Sequence, residues 1–205
     1  MSGQQNIKEK FNYEIFTYKK ILSGELKTFS PYFFNVKYRK KRLKTLIKYL
    51  IEDILHFTPE EALKNLNIKI FKEYKLVSIL KYIEKPVELE KSDLSYVVFY
   101  AYPELCKYSQ KDLTVNFYKK VLSGEKRNFP KNYFLDGIKG EERAKYCIQY
   151  LCEDFLNLRI EDIPQTLTIP MLRKYKLKIL LTAIYFSMHD LITNVYPNQF
   201  ESEHF

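Results

Sequence analysis

Residues 118–134 read "YKKVLSGEKRNFPKNYF", and residues 18–34 read "YKKILSGELKTFSPYFF", nearly the same sequence 100 positions earlier. The match continues in the same order, because "KYLIEDIL" at 48–55 aligns with "QYLCEDFL" at 149–156. Apolar positions agree even where the residue types differ. Chance similarity between helical segments would not preserve both order and spacing over this length. The sequence therefore predicts a tandem duplication.

The two copies differ in length. Tyr102-Pro103 in the first copy corresponds to Tyr196-Pro197 in the second, so the offset falls from 101 to 94 and the first copy carries seven extra residues. The simplest place for them is "EKPVELEKSD" at 84–93. The predicted domains are an N-terminal tail at 1–14, a first copy at 15–105, a linker at 106–114 and a second copy at 115–205.

Each copy has the pattern of four or five helices. The first helix ends at a Ser-Gly pair, and Gly24 and Gly124 are predicted to close it with a positive φ. "KRLKTLIKYLIEDILHF" at 41–57 predicts one long amphipathic helix. Thr168 and Ser187 are predicted N-caps of later helices. Because period-two alternation of useful length is missing, the predicted fold class is all-α, a tandem duplication of one small multi-helix domain.

The chain of 205 residues is basic, with 34 Lys and Arg against 25 Asp and Glu, a net charge of +9. The charge is uneven along the chain. Residues 1–110 hold 20 Lys and Arg against 13 Asp and Glu (net +7), and residues 111–205 hold 14 against 12 (net +2). This balance favours polyanionic partners, nucleic acid above all.

Patterning argues against several other classes. The start "MSGQQNIKEK" lacks the apolar segment of a secretory signal, and runs such as "LKILLTAIYF" are too short to cross a bilayer. Three cysteines at irregular spacing fit neither a disulfide framework nor a metal site. We therefore expect a cytoplasmic protein with no membrane partner, no metal and no cofactor; the sequence leaves its oligomeric state open.

Motifs for catalysis are also missing from the sequence: it contains no P-loop, dinucleotide fingerprint or nucleophile elbow. A Glu-Asp pair recurs in the two copies, but adjacent residues on a helix point about 100° apart and do not converge on one ion or substrate. We expect Glu52 and Glu153 to be structural, paired with Lys75 and Lys176 respectively. We expect no enzymatic activity and no catalytic residue.

The sharpest local feature is a cluster of seven cations, with no anion, in the twelve residues 37–48. Its members, predicted to bind nucleic acid, are Lys37, Arg39, Lys40, Lys41, Arg42, Lys44 and Lys48. The side chains and the exposed amides of a helix start both favour a phosphate backbone. We expect replacement of Arg39, Lys40, Lys41 and Arg42 with Ala to leave folding almost unchanged, because these side chains lie outside the apolar stripe. The alternative is a solvated basic face without a ligand.

A second predicted nucleic-acid-binding set consists of Arg173, Lys174, Lys176 and Lys178. It lies near the start of residues 168–196, whose three predicted helices have the lengths of a helix-turn-helix with a supporting helix. Asn194 is the one candidate for base readout in the last helix. The alternative is plain helical packing, since the middle helix is largely apolar.

The order "YKKVLSGEKRNFP", "YLCEDFL", "YKLKILLTAIYF" and "VYPNQFESEHF" resembles an uncharacterised helical domain of low-GC Gram-positive bacteria and their phages. The family pattern has a Leu-Ser-Gly phrase, a Phe-Pro phrase, a Tyr-Leu-x-Glu helix and a Tyr-Pro-x-x-Phe ending. This chain has Glu203 where the family ending has Trp, and the first copy lacks the ending. The resemblance implies a repeated helical domain in a bacterial or phage setting, and it assigns no activity to any residue.

Two functions follow as hypotheses. The first is a non-enzymatic nucleic-acid-binding protein with a regulatory role, for which DNA is favoured over RNA and whose first copy contacts phosphates. The second is a protein-interaction module that binds and modulates a host or partner protein, supported by 18 tyrosines that suit interfaces as well as interiors.

Overall fold

The structure, a computed structural model, describes residues 12–200, which contain helices and turns and no β-strand. The all-α prediction is therefore confirmed. The chain divides between Lys107 and Tyr108 into two compact units, here called unit 1 and unit 2. Most of the predicted tail at 1–14 and the last five residues of the Tyr-Pro ending lie outside the described residues. Helix α1 already begins at Tyr13, inside that tail.

The helices of the two units follow the same order. Unit 1 contains α1 (Tyr13–Leu22), α2 (Val36–Lys48), a π turn (Tyr49–Ile54), α3 (Pro59–Asn65), α4 (Ile68–Glu73), a 3₁₀ helix (Val77–Tyr82), α5 (Ser95–Ala101) and a second 3₁₀ helix (Pro103–Leu105). Unit 2 contains α6 (Gln110–Leu122), α7 (Gly137–Gln149), a π turn (Tyr150–Phe155), a 3₁₀ turn (Ile160–Asp162), α8 (Ile163–Thr166), α9 (Ile169–Lys174), α10 (Leu180–Ala183) and α11 (Met188–Val195). The corresponding elements identify a tandem duplication of one helical domain.

Each unit buries its own core around its second helix. Fully buried on this helix and its π turn in unit 1 are Leu43, Leu46, Ile47, Leu50 and Ile51. The corresponding buried residues in unit 2 are Ala144, Cys147, Ile148, Leu151 and Cys152. The aromatic connector packs against this core, with ring centroids of Phe29 and Phe33 4.7 Å apart and those of Phe129 and Tyr133 5.2 Å apart. Ring pairs at such distances add to the stabilisation from apolar burial.

The predicted glycine caps are confirmed. Gly24 and Gly124 both have φ of +84° at the end of the first helix of their unit. A Cβ at either position would meet no atom within 4 Å, so the left-handed backbone, and not lack of space, selects glycine. The predicted N-caps are confirmed too, because Thr168 accepts from the amide of Met171 and Ser187 from the amide of Asp190.

The second helix of each unit ends in a π turn, where the sequence predicts a continuous α-helix. The amide of Leu55 donates to the carbonyl of Leu50 at 2.9 Å, and the amide of Leu156 donates to that of Leu151 at 2.9 Å. Each turn therefore holds an extra residue compared with α-helix geometry. The predicted helix over 41–57 thus ends as a π turn at Ile54.

A lysine with a left-handed backbone holds the first helix of each unit in place. Lys75 has φ of +57° just after α4, and its ammonium donates to the carbonyl of Ile21 at 2.9 Å. Lys176 has φ of +61°, and its ammonium donates to the carbonyl of Val121 at 3.2 Å. A helix carries partial negative charge at its carboxyl end, so the ammonium is electrostatically favoured there. We call this contact the lysine clasp.

A buried tyrosine makes the return contact. The Tyr18 hydroxyl donates to the carbonyl of Tyr74 at 2.7 Å, and the Tyr118 hydroxyl donates to that of Tyr175 at 2.9 Å. Burial raises the pKa of both Tyr18 and Tyr118, so each hydroxyl keeps the proton that it donates. The first helix and the residues around the left-handed lysine are thus joined by hydrogen bonds in both directions.

The predicted Glu–Lys ion pairs are wrong, because the lysine clasp engages both lysines with carbonyl groups. Glu52 instead accepts a hydrogen bond of 2.6 Å from the Tyr102 hydroxyl at the end of α5. Burial, followed by this hydrogen bond, raises the pKa of Tyr102, which keeps the hydroxyl protonated as a donor. In unit 2, burial and the nearby Cys152 and Glu153 raise the pKa of Tyr196. The recurrent glutamate therefore faces the tyrosine of the Tyr-Pro pair.

An arginine near the start of the second helix ties the aromatic connector to that helix. Arg42 donates to the carbonyl of Phe33 and lies 3.6 Å from the carboxylate of buried Glu14. At the same place in unit 2, Arg143 is buried and donates to the carbonyl of Tyr133 at 3.1 Å. The expectation that Arg42 is an exposed cation is therefore wrong, since its guanidinium is part of the packed structure.

Because of the lysine clasp, we expect that removal of its ammonium group lowers the stability of the protein. Lys75→Met should lower the free energy of unfolding by about 1 kcal/mol, because the carbonyl of Ile21 loses a charged donor. Methionine has the same backbone strain at positive φ as lysine, so that contribution stays constant. Urea titration of the full chain measures the change. Lys72→Met, on exposed α4 surface, is the control and should change the free energy by less than about 0.5 kcal/mol. Equal losses in the two variants would contradict the clasp.

From the position of Arg42 we expect a second difference in stability, between variants of two neighbouring cations. Arg42→Gln should lower the free energy of unfolding by about 1–3 kcal/mol, since the Phe33 carbonyl and Glu14 lose their charged partner. Lys41→Gln, one residue earlier and exposed, should cost less than about 0.5 kcal/mol. Thermal unfolding of the two variants beside the parent protein tests this, and a harmless Arg42→Gln would disprove the structural role.

Candidate nucleic-acid interface

The cationic side chains of α2 form two sets, which point to different sides of the helix. Five lysines recur at i, i+3, i+4, i+7 and i+11, so they share one face of the helix. These residues, here called the lysine stripe, are Lys37, Lys40, Lys41, Lys44 and Lys48. The first three are exposed and the last two are half-buried. The two arginines of the cluster point away from this face, toward the packed side of the helix.

Both arginines are engaged within unit 1. The Nε of Arg39 donates to the carbonyl of Phe34 at 3.0 Å, and its guanidinium lies 5.0 Å from the ring centroid of Tyr82. Arg42 is tied to the connector as described above. The structure therefore separates the seven predicted residues into two structural arginines and five lysines available on one face.

The lysine stripe is a concentrated, uncompensated charge. It covers eleven residue steps of helix, about 16 Å along the axis. Among the described residues, no carboxylate forms an ion pair with any of the five ammonium groups. Lys48 does lie over the ring of Tyr102, with its ammonium 4.5 Å from the centroid. The face therefore presents five positive charges that carboxylates within residues 12–200 do not neutralise.

Exposed tyrosines lie on unit 1 near α2, and one of them contacts the stripe. Tyr32 is 83% exposed in the connector, and Tyr38 and Tyr13 are about half exposed. The Lys37 ammonium lies 5.3 Å from the ring centroid of Tyr38, and the Arg42 guanidinium lies 5.8 Å from that of Tyr13. The Tyr38 ring is therefore beside a lysine of the stripe, and the Tyr13 ring is beside the structural Arg42.

Unit 2 has the same helix with a different surface. At the 101-residue offset, the stripe positions are occupied by Ile138, Glu141, Glu142, Lys145 and Gln149. Five positive charges in α2 are thus replaced by one positive and two negative charges in α7. Since Arg143 keeps the structural position of Arg42, the two helices differ in exposed charge and share the arginine contact with the connector.

A tight backbone approach accompanies this difference. The connector before α7 is one residue longer than that before α2, because Phe34 and Phe134 differ by 100 positions and Arg42 and Arg143 by 101. Gly140 stands where unit 1 has Arg39, and a Cβ on it would lie 2.4 Å from the carbonyl oxygen of Phe134. Only glycine fits at this distance.

The second predicted set is less suited to binding. Arg173, Lys174 and Lys178 are exposed, but the Lys176 ammonium is engaged in the clasp. The helices do not have helix-turn-helix lengths, because α9 has six residues and α10 has four. The Asn194 side-chain amide donates to the backbone carbonyl of Asp190 at 2.8 Å and to its carboxylate at 2.7 Å. The base-readout candidate is therefore engaged within its own helix.

Three further features of residues 12–200 concern metal binding, thiol protonation and membrane insertion. No cluster of three or more His, Cys, Asp or Glu side chains there is arranged to hold a metal ion. Burial raises the pKa of the Cys152 thiol to about 12, which keeps it protonated near neutral pH. No helix in this range combines the length and apolar character needed to cross a bilayer.

Comparison with known proteins identifies a family for the chain but no similar individual protein. No curated protein and no solved structure matches it significantly. A family model described as "Protein of unknown function (DUF4046)" matches twice, over residues 15–107 and 114–201. One match falls in each unit, and together they cover most of the chain. The chain therefore belongs to the DUF4046 family and contains two copies of the family's domain.

Proposed function

We propose that this protein is a non-enzymatic DNA-binding protein that holds the phosphate backbone on the lysine stripe of unit 1. One observation carries the proposal: five lysines share one face of α2, and no described carboxylate pairs with them. A regulatory role is part of the proposal, and the resemblance of the repeat supports a bacterial or phage setting for it.

The dimensions of the stripe support a phosphate ligand. Each strand of duplex DNA has one phosphate per about 3.4 Å of axis, so a helix face of about 16 Å lies along roughly five phosphates. Each lysine that contacts a phosphate releases condensed counterions, which supplies most of the free energy of non-specific binding. The flexible ammonium groups need no fixed geometry to make these contacts.

The aromatic surroundings support the same ligand. The phenol hydroxyls of exposed Tyr13, Tyr32 and Tyr38 can donate to phosphate oxygens, as polar side chains commonly do in protein–DNA interfaces. Neither these groups nor lysines facing a backbone distinguish one base pair from another. We therefore infer binding that depends little on DNA sequence.

Removal of the exposed lysines tests the proposal. The triple variant Lys37→Ala, Lys40→Ala and Lys41→Ala should bind a duplex more weakly, by the same factor for unrelated sequences. The slope of log K against log salt should flatten by about 0.9 for each lysine that contacts a phosphate. Fluorescence anisotropy with two unrelated labelled duplexes over a salt series measures both effects.

Unit 2 offers the matched control. The variant Arg173→Ala, Lys174→Ala and Lys178→Ala removes three exposed cations as well, but it should change affinity and slope much less. Melting temperatures should remain near the parent value for both variants, since each altered side chain is exposed. Unchanged affinity and slope in the stripe variant would overturn the proposal and favour the protein-interaction hypothesis.

A further inference from the structure

A groove in unit 2 has a surface that the proposed function does not use. It lies between the start of α7 and the segment from Ile184 to Asn194, and its volume is about 370 Å³. Among its lining residues, Phe186 is 98% exposed and Ile138 is 77% exposed. Large apolar side chains so fully presented to water beside a concave surface are typical of a docking site.

The groove is also acidic. Glu141, Glu142 and Asp190 line it, with Lys145 as the one basic residue of the lining. Both glutamates are exposed on α7. Burial raises the pKa of Tyr185, also in the lining, to about 12, and the neighbouring Glu141 and Asp190 contribute to this rise. The groove therefore combines apolar contact area with a negative potential, which suits a basic surface carrying exposed apolar groups.

The chain itself carries such a surface. The lysine stripe begins with exposed Lys37, Lys40 and Lys41, three cations to match the three carboxylates of the groove. Beside them, Val36 is 76% exposed and Tyr32 is 83% exposed. Duplication has placed a basic face on the second helix of one unit and an acidic face on the corresponding helix of the other.

We propose that the acidic groove of unit 2 docks the lysine stripe of unit 1 from a second copy of the chain. Two copies that exchange these contacts reciprocally form a closed dimer with two identical interfaces. The exposed apolar groups, Val36 and Tyr32 on one side and Phe186 and Ile138 on the other, pack where the charges meet. The contact forms without DNA. Because DNA and the groove of the second copy bind to the same lysine stripe, DNA competes with self-association.

The contact is governed by charge and therefore by salt. Complementary charges speed encounter and exclude wrong partners, and their effect declines as the Debye length falls from about 30 Å at 0.01 M to about 3 Å at 1 M ionic strength. We expect the full-length protein to associate in a concentration-dependent manner at low ionic strength and to dissociate at high ionic strength. Sedimentation velocity over a protein concentration series measures this.

Charge exchange supplies the decisive test. The variants Glu141→Lys with Glu142→Lys, and Lys40→Glu with Lys41→Glu, should each weaken dimerisation by about tenfold or more, since like charges then face each other. Combining all four substitutions restores opposite charges and should return the dissociation constant to within about threefold of the parent value. Each substitution puts at an exposed helix position the charge that the other unit carries there, so folding should persist.

One variant distinguishes the self-association proposal from the DNA-binding proposal. Glu141→Lys with Glu142→Lys should weaken dimerisation by about tenfold or more while duplex binding is retained, because the stripe is intact. A parent protein that stays monomeric at low salt would overturn the self-association, as would a fourfold variant that does not recover. Either result would leave the groove to a basic segment of another protein and would leave the DNA-binding proposal unaffected.

Discussion

The lysine clasp fixes the arrangement on which the rest of each unit depends. It joins positions 54 residues apart in unit 1, and it requires a side chain where glycine would be the less strained choice. A left-handed backbone at a non-glycine residue costs about 1 kcal/mol or more, so the charged contact with a helix end must outweigh that strain. Together with the buried tyrosine, it sets the first helix against the core and positions the connector that leads into the second.

Along the second helix, the packed and the exposed positive charges belong to different residue types. Arginine, with its planar fork, holds backbone carbonyls and aromatic rings, and it recurs as Arg42 and Arg143. Lysine, a compact charge on a flexible stem, occupies all five stripe positions in unit 1 and one of them in unit 2. Because the internal arginine contact recurs, the outer face could diverge to the opposite charge without disturbing the fold. The proposed DNA-binding and self-association surfaces both arise from that divergence.

The sequence predicts what local patterns determine. Repeat register, apolar periodicity and cap residues identify the duplication, the all-α class and the positive φ of Gly24 and Gly124. The role of Lys75 is not predictable in this way, because its partner is distant in sequence and lysine has no preference for a left-handed backbone. The sequence could have shown that Arg42 lies apart from the lysines, because steps of 100° per residue along a helix place it off the lysine face. The π turns leave no such signal, because their apolar spacing is that of an ordinary helix.

Gly140 links the residue types that α7 can accept to the length of the connector before it. With the longer connector of unit 2, the carbonyl of Phe134 fills the space that any side chain at position 140 would need. Arginine at this position, which corresponds to Arg39 of unit 1, would therefore collide with backbone unless the connector were one residue shorter. Connector length and the residue at this position are thus coupled, and the two helices are not interchangeable residue by residue.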